Sequence, residues 1–279
     1  MEWVDLPHGR VRVVVEGPED GPTVLMIHGL SYPLEAWGPV SRVLAEQGVR
    51  TIRSDLYGRG FSGWDGTPLS SAVMAEQQRA VLDHVGVDSP VQVISLSNAD
   101  LIALWLAAAH PERVRELAFV GPSGFDARTM NRPTRWMGSA MFRHGMGWWM
   151  RHRLVQRMGR HAAHIPASAT PDCAEAYASS MEAARTHPPF GMAVVSHLSS
   201  LPSREELGRT LEMIAVSTVT VRALHFGAEE DATPTGVEVL ARHLTTMHSQ
   251  TLMDCGHMGM LERPNAIGVW WLRQPLSRS

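Results

Sequence analysis

Short apolar runs alternate with longer amphipathic ones along most of the chain. Val11–Glu16 is mostly valine, and Thr23–Ile27, Arg50–Arg53, Val91–Ile94, Val114–Val120, Val219–Phe226 and Gln250–Met253 are further brief runs of strand-forming residues. Runs of this length that carry little polar alternation suit strands buried on both faces. Between them, Glu35–Gln47, Ser70–Val85, Asn98–His110, Thr235–Leu244 and Pro264–Leu272 have helical patterns, and Pro111 stops the third. Strands and helices in this order predict an α/β fold: a mostly parallel central sheet with helices on both faces.

The alternation breaks between 125 and 210, where no convincing strand occurs. The simplest organisation is a core made of residues 1–124 and 211–279, with a helical insertion at 125–210. The insertion is rich in Met, Trp, Arg and His. From Ala127 to Thr170 it carries eight arginines and no Asp or Glu. Such a basic face is ordinarily solvated, although arginines also suit an acidic group on a substrate or an anionic lipid. His161 and His164 stand three apart, but no third ligand accompanies them, so no metal is expected.

Two serines in "VISLSNAD" stand where the run Val91–Ile94 must turn into a helix. A residue at the apex of such a turn is held in a strained backbone conformation with its side chain thrust outward. Its neighbours two positions away must be small, because strand and helix pass close by. Ser97 fits, with Ser95 before it and Ala99 after it. Ser95 does not, because Val93 is bulky. The N–H after the apex opens the helix, where free amides and the dipole favour an anion.

Composition removes several alternatives. The chain has 279 residues, 44% hydrophobic and 19% charged, with a net charge of −3, so nothing favours nucleic acid. There is no lysine: all 25 basic residues are arginine. That excludes the lysine-bearing phosphate loop and a pyridoxal Schiff base. Cys173 and Cys255 lack metal-ligand spacing, so free thiols in a reducing, cytoplasmic setting are expected. The first residues have no leader pattern, and no run reaches the ~20 apolar residues of a spanning helix.

"HGLS" at 28–31, "DLYGRGFS" at 55–62, the Ser97 turn, "HPERV" at 110–114 and "CGHMGMLERP" at 255–264 together resemble the α/β-hydrolase superfamily. The resemblance runs in order from about Val11 to Trp271 and is weak only in the insertion. It implies an α/β-hydrolase fold with a helical cap, and a triad in the chain order nucleophile, acid, histidine. Ser97 is then the nucleophile and His257 the general base. The acid falls on Glu230 by spacing, or on Asp231 if the turn carries one extra residue. The oxyanion hole is implied at the backbone N–H groups of Leu30 and Asn98. His28 and Gly29 are expected to shape that loop, and "DLYGRGFS" to brace the sheet. Trp136, Met137, Met141 and Trp148 of the cap, with Met258, are the candidate pocket wall.

The residues depart from the family at Ser95, Ala99 and Asp100, where glycine is common. The first two are small enough. Asp100 reads first as a first-turn carboxylate favoured by the helix dipole, and second as a polar group lining or packing behind the site. The implied activity is a cofactor-free serine hydrolase for a carboxylic ester or thioester with a hydrophobic part. The alternatives are a lyase, C–C hydrolase, acyltransferase or cyclase with the same residues, or a receptor that binds without turnover. Serine at the apex argues against the aspartate-dependent epoxide hydrolases and dehalogenases.

Overall fold

The computed structural model describes residues 1–123, 140–162, 171–227 and 233–273. Eight strands form one sheet: β1 (Glu2–Leu6), β2 (Gly9–Glu16), β3 (Thr23–Ile27), β4 (Arg50–Ser54), β5 (Val91–Leu96), β6 (Val114–Val120), β7 (Thr220–Phe226) and β8 (His248–Leu252). Their order is β1-β2-β4-β3-β5-β6-β7-β8. The pairings β1/β2 and β2/β4 are antiparallel and the other five are parallel.

The helices are α1 (Gly38–Glu46), α2 (Ser71–His84), α3 (Asp100–Ala109), α4 (Ala140–Ala162), α5 (Pro171–Thr186), α6 (Phe190–Ser199), α7 (Arg204–Ala215), α8 (Thr233–His243), α9 (Gly259–Glu262) and α10 (Pro264–Leu272). Successive side chains on a strand point to opposite faces, and the core follows that rule. Leu25, Val93, Leu117, Phe119 and Ala223 join a cluster completed by α2, α3 and α7. Met26, Ile94, Ala118, Val120 and Leu224 join a second one with α1 and α10. The central strands are therefore buried on both sides.

Three details differ from the sequence pattern. β1 was not expected: only Val4 of its five residues is buried, so "EWVDL" carries no apolar run. β8 lies two residues earlier than its apolar signal, because it is an exposed edge strand of mostly polar residues. The helix expected at Glu35–Gln47 is a short 3₁₀ turn at Leu34–Trp37 followed by α1. Within the insertion, the described segments are helical. α7 crosses position 210, and its Leu207, Leu211 and Ile214 are buried with the core cluster beside α3.

One buried carboxylate organises the sheet's second antiparallel edge. Asp55 follows β4 and is fully buried. It accepts from the Leu34 N–H (2.8 Å), Arg12 Nε (2.8 Å) and the Phe61 N–H (3.1 Å). Burial pushes its carboxyl above the usual range, while Arg12 and the two N–H groups oppose that shift. Gly60 has φ 54°, and a Cβ there would lie 2.2 Å from the Asp55 carboxylate, so the turn requires glycine. Among the described residues no helix is long and apolar enough to cross a membrane.

Candidate active site

Strand β5 is buried along its whole length and ends at Leu96. Ser97 follows with φ 58°, and α3 begins three residues later. A left-handed conformation costs a non-glycine residue roughly 1–2 kcal/mol. It persists where strand and helix dictate the turn between them. Only two described non-glycine residues have positive φ: Ser97, and Asp254 at 59°, three residues before His257. Both strained positions therefore sit in turns at the carboxyl edge of the sheet, each beside a residue singled out from the sequence.

Ser97 is 8% exposed, and its Oγ lies 2.6 Å from the Oγ of Ser123. Ser123 lies just past β6, the strand beside β5, in a turn opened by Gly121 (φ 56°). A Cβ on Gly121 would stand 2.8 Å from the Phe226 ring and 3.6 Å from His257 Nδ1. Ser97 and His257 thus both abut the segment Gly121–Ser123, one at each end. The sequence reading missed Ser123. Its signal was a small polar residue three positions past β6, the strand that neighbours β5.

The loop after β3 is built around His28, which is fully buried. Its Nε2 accepts from the Leu56 N–H at 2.9 Å, so its Nδ1 carries the proton and donates to the Gly29 carbonyl at 2.8 Å. Burial lowers its pKa to about 3, so the ring is neutral. The Gly29 carbonyl and the Leu30 N–H belong to one peptide plane. The His28 bond therefore fixes the direction of the Leu30 N–H. On the other side of Leu30, its carbonyl accepts from Arg59 Nε at 3.0 Å. Asn98 is also buried, and its side-chain Oδ1 has no partner among the described residues.

Asp100 opens the first turn of α3, as expected, and is fully buried there, which fits its second reading as a polar group packed behind the Ser97 turn. Ser95 Oγ donates to its Oδ1 at 2.5 Å, and its Oδ2 has no partner among the described residues. Burial drives its pKa well above the carboxylate range, opposed only by the Ser95 bond. The carboxyl is packed behind the Ser97 turn, and its burial favours the protonated form. The sign of its linkage follows: above about pH 3.9 the unfolded chain releases a proton that the native chain keeps, so Asp100 lowers stability as pH rises. Asp100→Asn is therefore expected to melt higher than wild type at pH 7–8, with an advantage that shrinks toward pH 4. Equal melting temperatures across that range would mean the carboxyl is not held neutral.

The remaining sequence candidates are placed as follows. Met258 is buried in the second core cluster. Trp148 is 70% exposed and stacks on His152 one turn along α4, so it meets no pocket wall among the described residues. Glu230, Asp231, Trp136 and Met137 lie outside the described residues, and so does the side chain of Met141.

A model of the α/β hydrolase fold family matches residues 22–163, just over half of the chain. Among curated proteins, a lipase of Mycobacterium tuberculosis, LipV, is 33% identical over 107 residues, covering 38% of this chain and 40% of the lipase. A 2-hydroxymuconate semialdehyde hydrolase of Pseudomonas is 32% identical over 126 residues, covering 41% of each. The chain thus spans about two fifths of either relative. Among solved structures, an enol-lactonase from Burkholderia xenovorans LB400 superposes with a TM-score of 0.72 at 19% identity, covering 97% of this chain and 98% of that one. A thermophilic esterase from Thermogutta terrifontis gives 0.73 at 18% identity, covering 98% of both. At such identities the superpositions speak for the fold alone. With the matching family model, the eight-stranded sheet and the strained turn at Ser97, the chain belongs to the α/β-hydrolase fold family.

Proposed function

We propose that the protein is a serine hydrolase for a carboxylic ester or thioester with a hydrophobic part. The observation that carries this reading is Ser97 at the strained apex between β5 and α3, its hydroxyl at the carboxyl edge of the sheet. Ser97 Oγ attacks the acyl carbonyl while His257 takes its proton. The backbone N–H groups of Leu30 and Asn98 receive the developing oxyanion, the first held in direction by His28. Collapse breaks the bond to the leaving group, which receives the proton from His257. Water then attacks the acyl-enzyme by the same route, releasing the acid and restoring Ser97. Glu230 or Asp231 holds the imidazole and stabilises its charged form. The lipase relative is consistent with a substrate of this kind.

The test is rapid mixing with p-nitrophenyl esters of increasing chain length, with and without an added alcohol. The expected result is a burst of nitrophenol close to one equivalent per Ser97, followed by free acid in water. A burst followed only by transfer to the alcohol would make the protein an acyltransferase. Binding with neither burst nor turnover would make it a receptor. In the same assay, Glu230→Gln and Asp231→Asn are expected to differ by about a hundredfold or more in kcat, the larger loss marking the triad acid. Equal small losses would place the acid elsewhere.

A further inference from the structure

Among the described residues four arginines are buried: Arg12, Arg53, Arg59 and Arg222. Three of them meet a carboxylate. Arg12 pairs with Asp55 and Glu35, Arg53 with Glu16, and Arg222 with Glu116. Arg59 is the deepest of the four, at 0% exposure, and meets none among the described residues. Its Nε donates to the Leu30 carbonyl at 3.0 Å, Nη1 to the Tyr57 carbonyl at 3.2 Å and Nη2 to His197 Nδ1 at 3.3 Å. All three acceptors are neutral, and two of the five guanidinium N–H groups find no acceptor among the described residues.

His197 belongs to α6, in the insertion, and is itself buried. Because its Nδ1 accepts from Arg59, its Nε2 carries the proton, and that Nε2 is enclosed without a partner among the described residues. The helix sits directly on this loop: a Cβ on Gly58 would fall 2.3 Å from the Ala193 Cβ.

An uncompensated buried charge is costly, and a protein ordinarily removes it by pairing or by neutralisation. For Asp100, burial favours the protonated, neutral form. Arg59 has no such route: burial lowers its pKa only to about 9, which leaves it a cation at neutral pH. A purely structural link between Leu30 and α6 calls for donors, not for a charge, and a neutral side chain supplies those at lower cost.

We propose that Arg59 and His197 are the receptor for a second, ionised carboxylate on the substrate, so that the preferred esters are half-esters of dicarboxylic acids. This rests on the serine-hydrolase reading and specifies its substrate class. The two guanidinium N–H groups and the His197 Nε2–H left without acceptors among the described residues are donors in a desolvated setting, where charge-assisted hydrogen bonds are strong. Arg59 is bonded to the same residue whose N–H is assigned to the oxyanion. The carboxylate is therefore held a short chain away from the scissile carbonyl, and the hydrophobic part of the substrate lies on the other side of the ester.

The experiment compares mono-p-nitrophenyl glutarate with neutral p-nitrophenyl hexanoate, and in parallel measures thermal melting with and without glutarate. The wild type is expected to favour the half-ester by about tenfold or more in kcat/KM, mainly through KM, and to melt higher in glutarate. In Arg59→Met that preference falls to unity or reverses, and the glutarate shift disappears. Exchanging a buried charge for an apolar residue of similar volume is often tolerated. His197→Phe, which is expected to weaken both effects, provides a second route should Arg59→Met not fold. A wild type that favours the neutral ester and shows no glutarate shift overturns the proposal, even where Ser97 is active. A glutarate shift lost in Arg59→Met upholds the anion receptor even if no ester is turned over, a result that removes the hydrolase reading instead.

Discussion

Replacing Ser97 by alanine is expected to lower ester turnover by about 10⁶-fold, the scale on which triads respond to loss of the nucleophile. At 1.36 kcal/mol per factor of ten this is about 8 kcal/mol of transition-state stabilisation. The fold should remain, because the strained turn is imposed by β5 and α3 and alanine meets the same backbone restriction as serine. Among the described residues, the side-chain bond lost is the one to Ser123. The comparison that separates register from general damage is Ser95→Ala. Ser95 is fully buried and its hydroxyl serves Asp100, so this variant should keep its nucleophile. The measurement is kcat on a p-nitrophenyl ester beside a melting curve for each variant. Loss in Ser95→Ala with retention in Ser97→Ala would shift the nucleophile by two residues.

The second large effect concerns stability. Asp55→Ala strips a buried guanidinium of one of its two carboxylates and leaves the N–H groups of Leu34 and Phe61 without their acceptor. Breaking a buried ion pair from one side costs about 3–5 kcal/mol, a large share of the ~5–15 kcal/mol that holds a domain folded. A fall of at least ~3 kcal/mol is expected from urea unfolding, with Asp55→Asn intermediate because an amide oxygen still accepts. A loss below ~1 kcal/mol would show that the turn from Asp55 to Ser62 is held by other contacts. Because the Leu34 N–H and the Gly60 turn depend on this carboxylate, damage there should also reach the loop after β3 through Arg59 and Leu30.

The interior of the sheet was legible in the sequence because a strand buried on both faces must be apolar throughout, as Val91–Leu96 and Val114–Val120 are. Its rims were not. β1 buries one side chain in five, and β8 is nearly all polar and exposed, so neither announces itself by composition. Ser97 was legible for a steric reason, the small residues demanded at Ser95 and Ala99. The first-turn place of Asp100 was legible, but its burial was not, because whether such an acid is buried depends on what packs over it. Ser123, His197 and the isolation of Arg59 depend on contacts between distant segments, 26 residues apart for the serines and 138 for the arginine–histidine pair. No local pattern carries such information.

The account turns on Ser97 being the activated nucleophile with His257 as its base. The most direct measurement is peptide mapping by mass spectrometry after brief exposure to a fluorophosphonate. The predicted result is one adduct, on Ser97, absent in Ser97→Ala and formed far more slowly in His257→Ala. An adduct on any other residue, or none in a preparation that turns over esters, would contradict it.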